Sequence, residues 1–414
     1  MSQITRRIAL LFCFTLSLGV LSNSTQAQTL TVLHNFSGGG DGAYPLAGLT
    51  MDRAGNLYGT TANGGAYNVG VVFRLSRAGS SWVLKPLYTF TGGADGGYPY
   101  SGVVIGPDGG LYGTTNSGGV RNQGTVYRLV PSPAVCHAVT CPWEETVIHS
   151  FPSGGDDGSF PEDYGNLVFD HAGNIYGTTE LGGFGGGGAV FELSPSNGGW
   201  TESVIWHFVT QTGYDPFSGL IFDSSGNLYG TTTAASGAGN YGVVYQLSPS
   251  GSGWTENVLS YIGHPTGAPS GGVVVDGQGD VFGAASCFSG GVDPGEVFEL
   301  TPSNGGWAFN VLHTFSGSGT GPCDSPTLDA AGNVYGTSSG TGSNSLGEVY
   351  KLTPSNGGWS YSSVSFAGSN GAFPEGSVIF DAAGNMYGTA AGGGSGPCES
   401  NGNTGCGVIW MITP

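Results

Sequence analysis

The chain has 414 residues, of which 81 are glycine and 22 are proline, while only 9% are charged. So much glycine and proline without a period would indicate a low-complexity chain, but the scarcity of charge argues against a disordered polyelectrolyte and against a coiled coil. The formal net charge of −19 makes nucleic acid and anionic membranes poor partners, because both are negatively charged themselves.

The first 27 residues have the features of a secretion signal. Arg6 and Arg7 precede an apolar run, and Ala27 ends a small-residue cleavage site. The apolar run is short for a membrane span, and no later stretch approaches 18 apolar residues. We therefore expect a mature chain of residues 28–414 without a membrane span, secreted or periplasmic, with Sec and twin-arginine export both open.

An eight-residue pattern, Asp-x-x-Gly-Asn-Leu-Tyr-Gly, recurs along the mature chain. Its first copy begins at Asp52 and ends at Gly59. Seven copies at a near-constant spacing are typical of a repeat architecture in which each copy forms one structural unit. The last glycines of the six later copies are Gly113, Gly177, Gly230, Gly283, Gly336 and Gly388.

Each repeat contains four short segments rich in β-branched and aromatic residues, separated by Gly, Asn, Asp and Pro. In the first repeat we expect strands at 48–51, 57–61, 71–75 and 82–90. Asn-Gly pairs before three of the tryptophans predict tight hairpins. Four antiparallel strands repeated seven times predict an all-β fold, a seven-bladed β-propeller, so the whole mature chain is one domain.

The two ends of the mature chain complement each other. The last repeat stops after its third strand, at 408–412, and residues 30–36 match the fourth-strand pattern seen at 311–315. We therefore expect the N-terminal strand to complete the last blade and close the ring, which removes the exposed edges of an open array.

These patterns resemble the Gloeo/Verruco tandem repeat of exported bacterial proteins. The resemblance rests on the Asp-x-x-Gly-Asn-Leu-Tyr-Gly-Thr-Thr core, the Gly-Val-Val-Phe-x-Leu strand and the Ser-Asn-Gly-Gly-Trp turn, and it covers residues 30–412. It implies an exported, propeller-like protein, and it brings no established catalytic motif with it.

Four of the loops that lead from one blade into the next share a pattern of an acidic or amide residue followed by Gly, a small residue, an aromatic residue and Pro. These loops enter blades 7, 1, 2 and 3, which are neighbours in the ring, and the pattern is lost before blades 4, 5 and 6. An arc of aromatic and polar groups suits a glycan, because rings stack on sugar C–H faces. The alternative is that the rings pack between blades. The candidate ligand-binding residues are Asp41, Tyr44, Asp95, Tyr98, Asp157, Phe160, Asn370 and Phe373.

Other acidic residues have two interpretations. Those of the repeat turn are expected to cap their own turns by accepting backbone N–H groups. They are Asp52, Asp170, Asp223, Asp276, Asp329 and Asp381. Four carboxylates depart from the repeat near the mouth of the central channel, where paired carboxylates would serve glycoside chemistry. These weaker catalytic candidates are Glu162, Asp163, Asp324 and Glu375.

The six cysteines of the mature chain are an even number, which favours disulfides in an exported protein. A zinc site is the less favoured alternative, because no Cys-x-x-Cys pair exists, and we expect neither a metal nor a cofactor. The pairing that we expect, one of the 15 that six cysteines allow, is Cys136–Cys141, Cys287–Cys323 and Cys398–Cys406.

Together these features predict a secreted, monomeric propeller that binds an extracellular carbohydrate, another surface polymer or a surface protein. A carbohydrate-active hydrolase or lyase that uses the channel-mouth carboxylates is the first alternative. A structural exported protein without a ligand is the second. The fold does not choose among them, because propellers host all three.

Overall fold

A computed structural model describes residues 28–132, 143–152, 156–161, 165–210, 212–236, 240–263, 268–269, 271–285, 295–316, 321–322, 324–400 and 403–414. Across these ranges the strands form seven antiparallel sheets built on four strands in up-and-down order, one of which has a fifth strand, and one separate two-stranded hairpin. The sheets are the blades of a seven-bladed β-propeller, as the repeat predicts. No helix in the ranges given is long and apolar enough to cross a membrane.

The first strand, β1 (Thr29–Asn35), lies in the last blade. The strands of blade 1 are β2 (Thr50–Met51), β3 (Leu57–Thr61), β4 (Val71–Ala78) and β5 (Ser81–Thr89). Those of blade 2 are β6 (Val104–Ile105), β7 (Leu111–Thr115), β8 (Thr125–Pro131) and β9 (Trp143–Ser150). Blade 3 has an additional strand, β10 (Gly158–Pro161), beside β11 (Val168–Phe169), β12 (Ile175–Gly182), β13 (Ala189–Ser196) and β14 (Gly199–His207).

The later blades repeat the same order. Blade 4 contains β15 (Ile221–Phe222), β16 (Leu228–Thr232), β17 (Asn240–Ser250) and β18 (Gly253–Gly263). Blade 5 contains β19 (Val273–Val275), β20 (Val281–Ala285), β21 (Glu296–Ser303) and β22 (Gly306–Thr314). Blade 6 contains β23 (Thr327–Leu328), β24 (Val334–Ser338), β25 (Glu348–Ser355) and β26 (Gly358–Ser365). Blade 7 contains β27 (Ile379–Phe380), β28 (Met386–Ala390) and β31 (Val408–Thr413), with the small hairpin β29 (Glu399–Ser400) and β30 (Asn403–Thr404) before β31.

The N-terminal strand closes the ring. Strand β1 pairs antiparallel with β31, from Thr29 opposite Thr413 to Asn35 opposite Val408. Blade 7 thus takes its outermost strand from the start of the chain, and closure leaves no blade with a missing strand. The predicted closure is confirmed.

The innermost strands are shorter than expected. In blade 1 only Thr50–Met51 pairs with β3, whereas the sequence predicts a strand from residue 48. In five of the seven blades, the backbone just before the inner strand accepts a hydrogen bond from the preceding blade. For example, the hydroxyl of Thr60 in blade 1 donates a hydrogen bond to the carbonyl of Ser101, at the entrance of blade 2, over 2.8 Å. Hydrogen bonds of this kind link adjacent blades around the channel.

The core lies between successive blades rather than at the centre of the ring. Phe36 and Tyr387 of blade 7 pack with Leu57, Phe73 and Leu75 of blade 1 in one buried cluster. Phe36 and Phe73 meet edge to face, with their ring centroids 5.4 Å apart. Each blade therefore buries its apolar faces against its two neighbours, which is why the repeat needs to form a closed ring.

The glycine of the Leu-Tyr-Gly-Thr-Thr segment has a packing role. A Cβ at Gly59 would lie 2.7 Å from Cζ of Phe73 on the adjacent strand β4. The ring occupies the space that any side chain would need. The equivalent glycines of the other six repeats face an aromatic ring in the same way, so the pattern repeats for a steric reason.

The repeat aspartates cap their own turns, as predicted. Asp52 accepts the backbone N–H groups of Ala54 and Asn56 at 2.8 and 2.9 Å, the Asn56 side chain at 2.7 Å and the hydroxyl of Tyr58 at 3.1 Å. Burial alone would raise the pKa of Asp52, but these hydrogen bonds hold it below its usual value. The same two backbone contacts recur at Asp170, Asp223, Asp276, Asp329 and Asp381.

Candidate ligand-binding face

Two kinds of loop share one face of the propeller, which we call the upper face. The first kind, the entry loop, connects the outermost strand of one blade to the innermost strand of the next. The second kind, the tip loop, connects the second and third strands of a blade. The two kinds pair within a blade, as Ala43 does with Asn63, Gly97 with Ser117 and Ala372 with Gly392.

The four predicted aromatic residues occupy equivalent places in the entry loops. All four have left-handed backbone conformations, with φ of 56° at Tyr44, 56° at Tyr98, 55° at Phe160 and 55° at Phe373. Bulky residues rarely adopt this region, which costs on the order of 1–3 kcal/mol when the surrounding structure imposes it. All four side chains are half-buried.

The preceding blade holds each of these residues in place. The N–H of Tyr98 donates to the carbonyl of Val69 in the tip loop of blade 1 over 2.7 Å. The proline that follows, Pro99, packs on the same blade, and its Cδ would lie 2.4 Å from a Cβ at Gly70. Gly70 has a φ of 104°, so two constraints require glycine there. The aromatic-proline pair is therefore a fixed contact between neighbouring blades.

The entry loop of blade 4 has the same backbone without the aromatic residue. Asp215 has a φ of 54°, and its N–H donates to the carbonyl of Gly187 over 3.0 Å. Pro216 follows it and packs on Gly188. The entry loop of blade 4 therefore lacks the aromatic side chain, but it keeps the backbone conformation and the glycine–proline contact of the other loops.

The polar residues of the predicted arc stabilise their own loops. Asp95 accepts the N–H of Thr91 at 2.8 Å and the hydroxyl of Tyr88 at 3.1 Å. Asp41 accepts the N–H of Ser37 at 3.0 Å and lies 3.1 Å from His34 Nε2.

The two remaining polar residues of the arc act in the same way. Asp157 lies 3.3 Å from His149 Nε2 and accepts the N–H of Gly158 at 2.8 Å. Asn370 accepts the N–H of Ala367 at 2.8 Å. All four polar groups of the arc therefore have local partners, and the aromatic rings are the better candidates for ligand contact.

Three tip loops present apolar side chains that the repeat pattern does not predict. Among the described residues, the three large hydrophobic side chains with the highest exposure are Val120 at 79%, Phe184 at 72% and Tyr67 at 62%. They lie at the tips of blades 2, 3 and 1, respectively, on the upper face. Their sequence signal is weak, because each is a single apolar residue within a glycine-rich stretch that differs between repeats.

Side chains from the outer strands hold two of these tips. The N–H of Val120 donates to the Ser150 hydroxyl over 2.8 Å, and the N–H of Phe184 donates to Nδ1 of His207 over 3.0 Å. A surface side chain on an anchored backbone loses less conformational entropy when it contacts a ligand. The upper face of blades 2 and 3 therefore displays apolar side chains on anchored backbone.

The central channel contains one of the predicted carboxylates. A cavity of about 1030 Å³ is lined by inner-strand residues of several blades, including Asp324. Asp324 accepts the N–H groups of Ser325 and Ser377, each at 2.6 Å, and burial raises its pKa to about 6 despite these bonds. Glu375 is half-buried near Ser377, whereas Glu162 and Asp163 lie outside the described residues.

One predicted disulfide falls within the described residues and is confirmed. Cys398 and Cys406 are bonded in the tip loop of blade 7. The hydroxyl of Tyr44 donates to the carbonyl of Glu399 in this loop over 3.3 Å, so the disulfide lies beside the aromatic arc. The other predicted pairs involve residues outside the described ranges, namely Cys136, Cys141, Cys287 and Cys323.

Comparison with known proteins supports the repeat and the fold. The family described as the Gloeobacter/Verrucomicrobia repeat matches residues 15–141, 138–287 and 232–414. No curated protein matches the chain.

Two solved structures show the same fold. One, a polysaccharide lyase described as a PL25 ulvan lyase, is 12% identical with a TM-score of 0.56, and the match covers 91% of this chain and 94% of the lyase. The other, described as the extracellular domain of a hybrid two-component system of B. thetaiotaomicron, is 12% identical with a TM-score of 0.53. That match covers 93% of this chain but only 41% of the other, so the chain spans less than half of that protein.

Proposed function

The chain belongs to the Gloeobacter/Verrucomicrobia repeat family, and we propose that it is an exported, monomeric propeller that binds an extracellular polysaccharide on its upper face. The contact surface consists of the tips of blades 1 to 3 together with the half-buried rings of the entry loops. The two solved structures support only the fold, because both are 12% identical to this chain.

The observation that carries this proposal is the exposure of Tyr67, Val120 and Phe184 on one face of three neighbouring blades. Exposed apolar side chains that cluster at one surface are typical of binding sites. An exposed ring stacks on the C–H face of a sugar, and an extended polymer contacts several tips at once. The net charge of −19 favours a neutral or cationic polymer over an acidic one.

The experiment compares binding of the mature protein to a panel of immobilised polysaccharides with that of the double variant Tyr67→Ala, Phe184→Ala. Each ring contributes roughly 0.5–1.5 kcal/mol beyond its buried area, so binding should weaken about tenfold or more. Both side chains are exposed, so the melting temperature should stay within a few degrees of the wild type, as expected for surface substitutions.

A valine pair supplies the matched control. Val83 is 53% exposed on the outer strand β5, away from the tip loops, whereas Val120 is 79% exposed at a tip. Val120→Ala should weaken polysaccharide binding, and Val83→Ala should leave it unchanged. The proposed function is refuted if the wild type binds none of the polysaccharides, or if the double variant binds as tightly as the wild type.

A second candidate function rests on Asp324, which lines the channel cavity with a pKa of about 6. A carboxyl group with a raised pKa suits general acid or base catalysis in a hydrolase or lyase. Release of reducing sugar or of unsaturated product from a bound polysaccharide, abolished in Asp324→Asn, would establish this activity. Unchanged release in the variant would remove Asp324 from the mechanism.

A further inference from the structure

A second cavity lies beside the upper face, at the outer edge between blades 5 and 6. Its volume is about 750 Å³, which is within the range of small-molecule sites. The residues that matter for its chemistry are Glu348, His313, Tyr361, Thr341, Ser345 and Phe373. Phe373 also belongs to the aromatic arc, so this cavity is continuous with the proposed polysaccharide surface.

Glu348 departs from the repeat. It is the first residue of the third strand of blade 6, where five of the other blades have Val71, Thr125, Ala189, Val243 and Val408. The side chain is only 6% exposed, yet it lines the cavity. A carboxylate almost fully removed from solvent needs partners, so its presence at a position that is apolar or small in most blades requires an explanation.

Among the described residues, only one oxygen of Glu348 has hydrogen-bond partners. Its Oε1 accepts the hydroxyl of Tyr361 at 2.6 Å and that of Thr341 at 3.0 Å. Its Oε2 accepts no hydrogen bond from a described residue. Gly342 borders this oxygen, and a Cβ there would lie 3.2 Å from it, so the glycine leaves space beside Oε2.

Two stacked rings lie beside the carboxylate. The ring of His313 stacks on that of Tyr361, with a centroid distance of 3.9 Å and an interplanar angle of 9°. Burial lowers the pKa of His313 although Glu348 opposes the shift, so the imidazole does not supply a competing positive charge near neutral pH. No Lys or Arg is among the described residues that line this cavity.

We propose that this cavity binds the protonated primary amine of an amino sugar, with the ammonium group at Glu348 Oε2 and the sugar ring among Tyr361, Phe373 and the hydroxyl of Ser345. A carboxylate flanked by aromatic rings attracts an ammonium group through a charge-assisted hydrogen bond and cation–π contact. The cavity is large enough for a monosaccharide, which a bare cation would not fill. This inference deepens the proposed function and rests on it for the identity of the polymer.

The test is calorimetric titration of the full mature chain with glucosamine, N-acetylglucosamine and glucose at pH 7. Glucosamine should bind about tenfold or more tightly than the other two sugars, because only its nitrogen is a cation that can bond to Glu348. Glu348→Gln should abolish that preference. Tyr361→Phe removes one hydrogen bond to Oε1 and retains the ring, so it should weaken binding and keep the preference.

Glu296 offers a matched control. It occupies the equivalent position in blade 5 and is also 6% exposed, but it is not among the residues that line the cavity. Glu296→Gln should therefore leave glucosamine binding unchanged. Equal affinity of the wild type for the three sugars, or an unaltered preference in Glu348→Gln, overturns the inference. If the wild type retains a polysaccharide but does not bind glucosamine, the amino-sugar site is also overturned, whereas the proposed function remains.

Discussion

Three glutamates on outer strands should make the propeller less stable as the pH rises. Glu145, Glu202 and Glu256 occupy equivalent positions in blades 2, 3 and 4, opposite Leu129, Leu193 and Leu247 of the adjacent strand. In each, Oε1 is buried and has no hydrogen-bond partner among the described residues. At Glu145 and Glu202 that oxygen loses hydration without gaining a replacement bond. At Glu256 the side chains of Thr212 and Trp206 compensate part of the loss, because they lower the pKa that burial raises.

Burial raises the pKa of each glutamate to about 7. The negative charge of Asp95 raises the pKa of Glu145 further. At Glu202 the charge of Asp157 also raises the pKa, and His149 lowers it. The folded state therefore holds these protons more tightly than the unfolded state, whose glutamates titrate near 4.5. Stability is unaffected below pH 4.5, falls as the pH rises from there to about 7, and is then constant.

The size of the stability loss follows from the pKa shift and from the exposure of each glutamate side chain. A fully buried group with this pKa change would lose roughly 3 kcal/mol. These side chains are only half-buried, so solvent screening reduces the loss to about 1 kcal/mol each. Three such sites predict a loss of about 3 kcal/mol in the free energy of unfolding between pH 5 and pH 8, if they are independent.

The assay is urea denaturation at pH 5, 6, 7 and 8 in constant salt, for the wild type and for the triple variant Glu145→Gln, Glu202→Gln, Glu256→Gln. The urea midpoint of the wild type should decrease with pH, and that of the variant should change much less. Glu144→Gln is the control, because Glu144 is the exposed neighbour of Glu145 on the same strand. Parallel pH profiles for the wild type and the triple variant would show that these glutamates do not cause the loss of stability.

Two further predictions concern the ring and its aromatic arc. Removal of residues 28–36 deletes β1 and the buried Phe36. The product should therefore aggregate through the exposed edge of blade 7. A melting temperature equal to that of the full mature chain would contradict this prediction. Tyr44→Ala combined with Tyr98→Ala should weaken polysaccharide binding about tenfold or more with little change in melting temperature, since both rings are half-buried. A fall of many degrees with unchanged binding would show that the rings only pack between blades.

The architecture of this protein is determined by its sequence, because the forces that define each repeat are local. Asp52 caps the turn within four residues of itself, and Gly59 leaves room for a ring on the next strand. Such contacts recur wherever the eight-residue pattern recurs. Blade number, strand order and closure therefore follow from the repeat and from the matching ends of the chain.

The loops of the upper face and the cavity at Glu348 depend on the tertiary structure. The left-handed conformation of Tyr98 is held by a hydrogen bond to Val69 in the preceding blade. The same conformation and the same kind of bond occur at Asp215, so the aromatic side chain does not determine it. The cavity at Glu348 combines three strands from two blades, with His313 and Tyr361 brought together by packing. Contacts between blades depend on strand register and on how neighbouring sheets twist against each other. The side chains at these contacts therefore acquire their partners, their charge environment and their exposure only when the ring is complete.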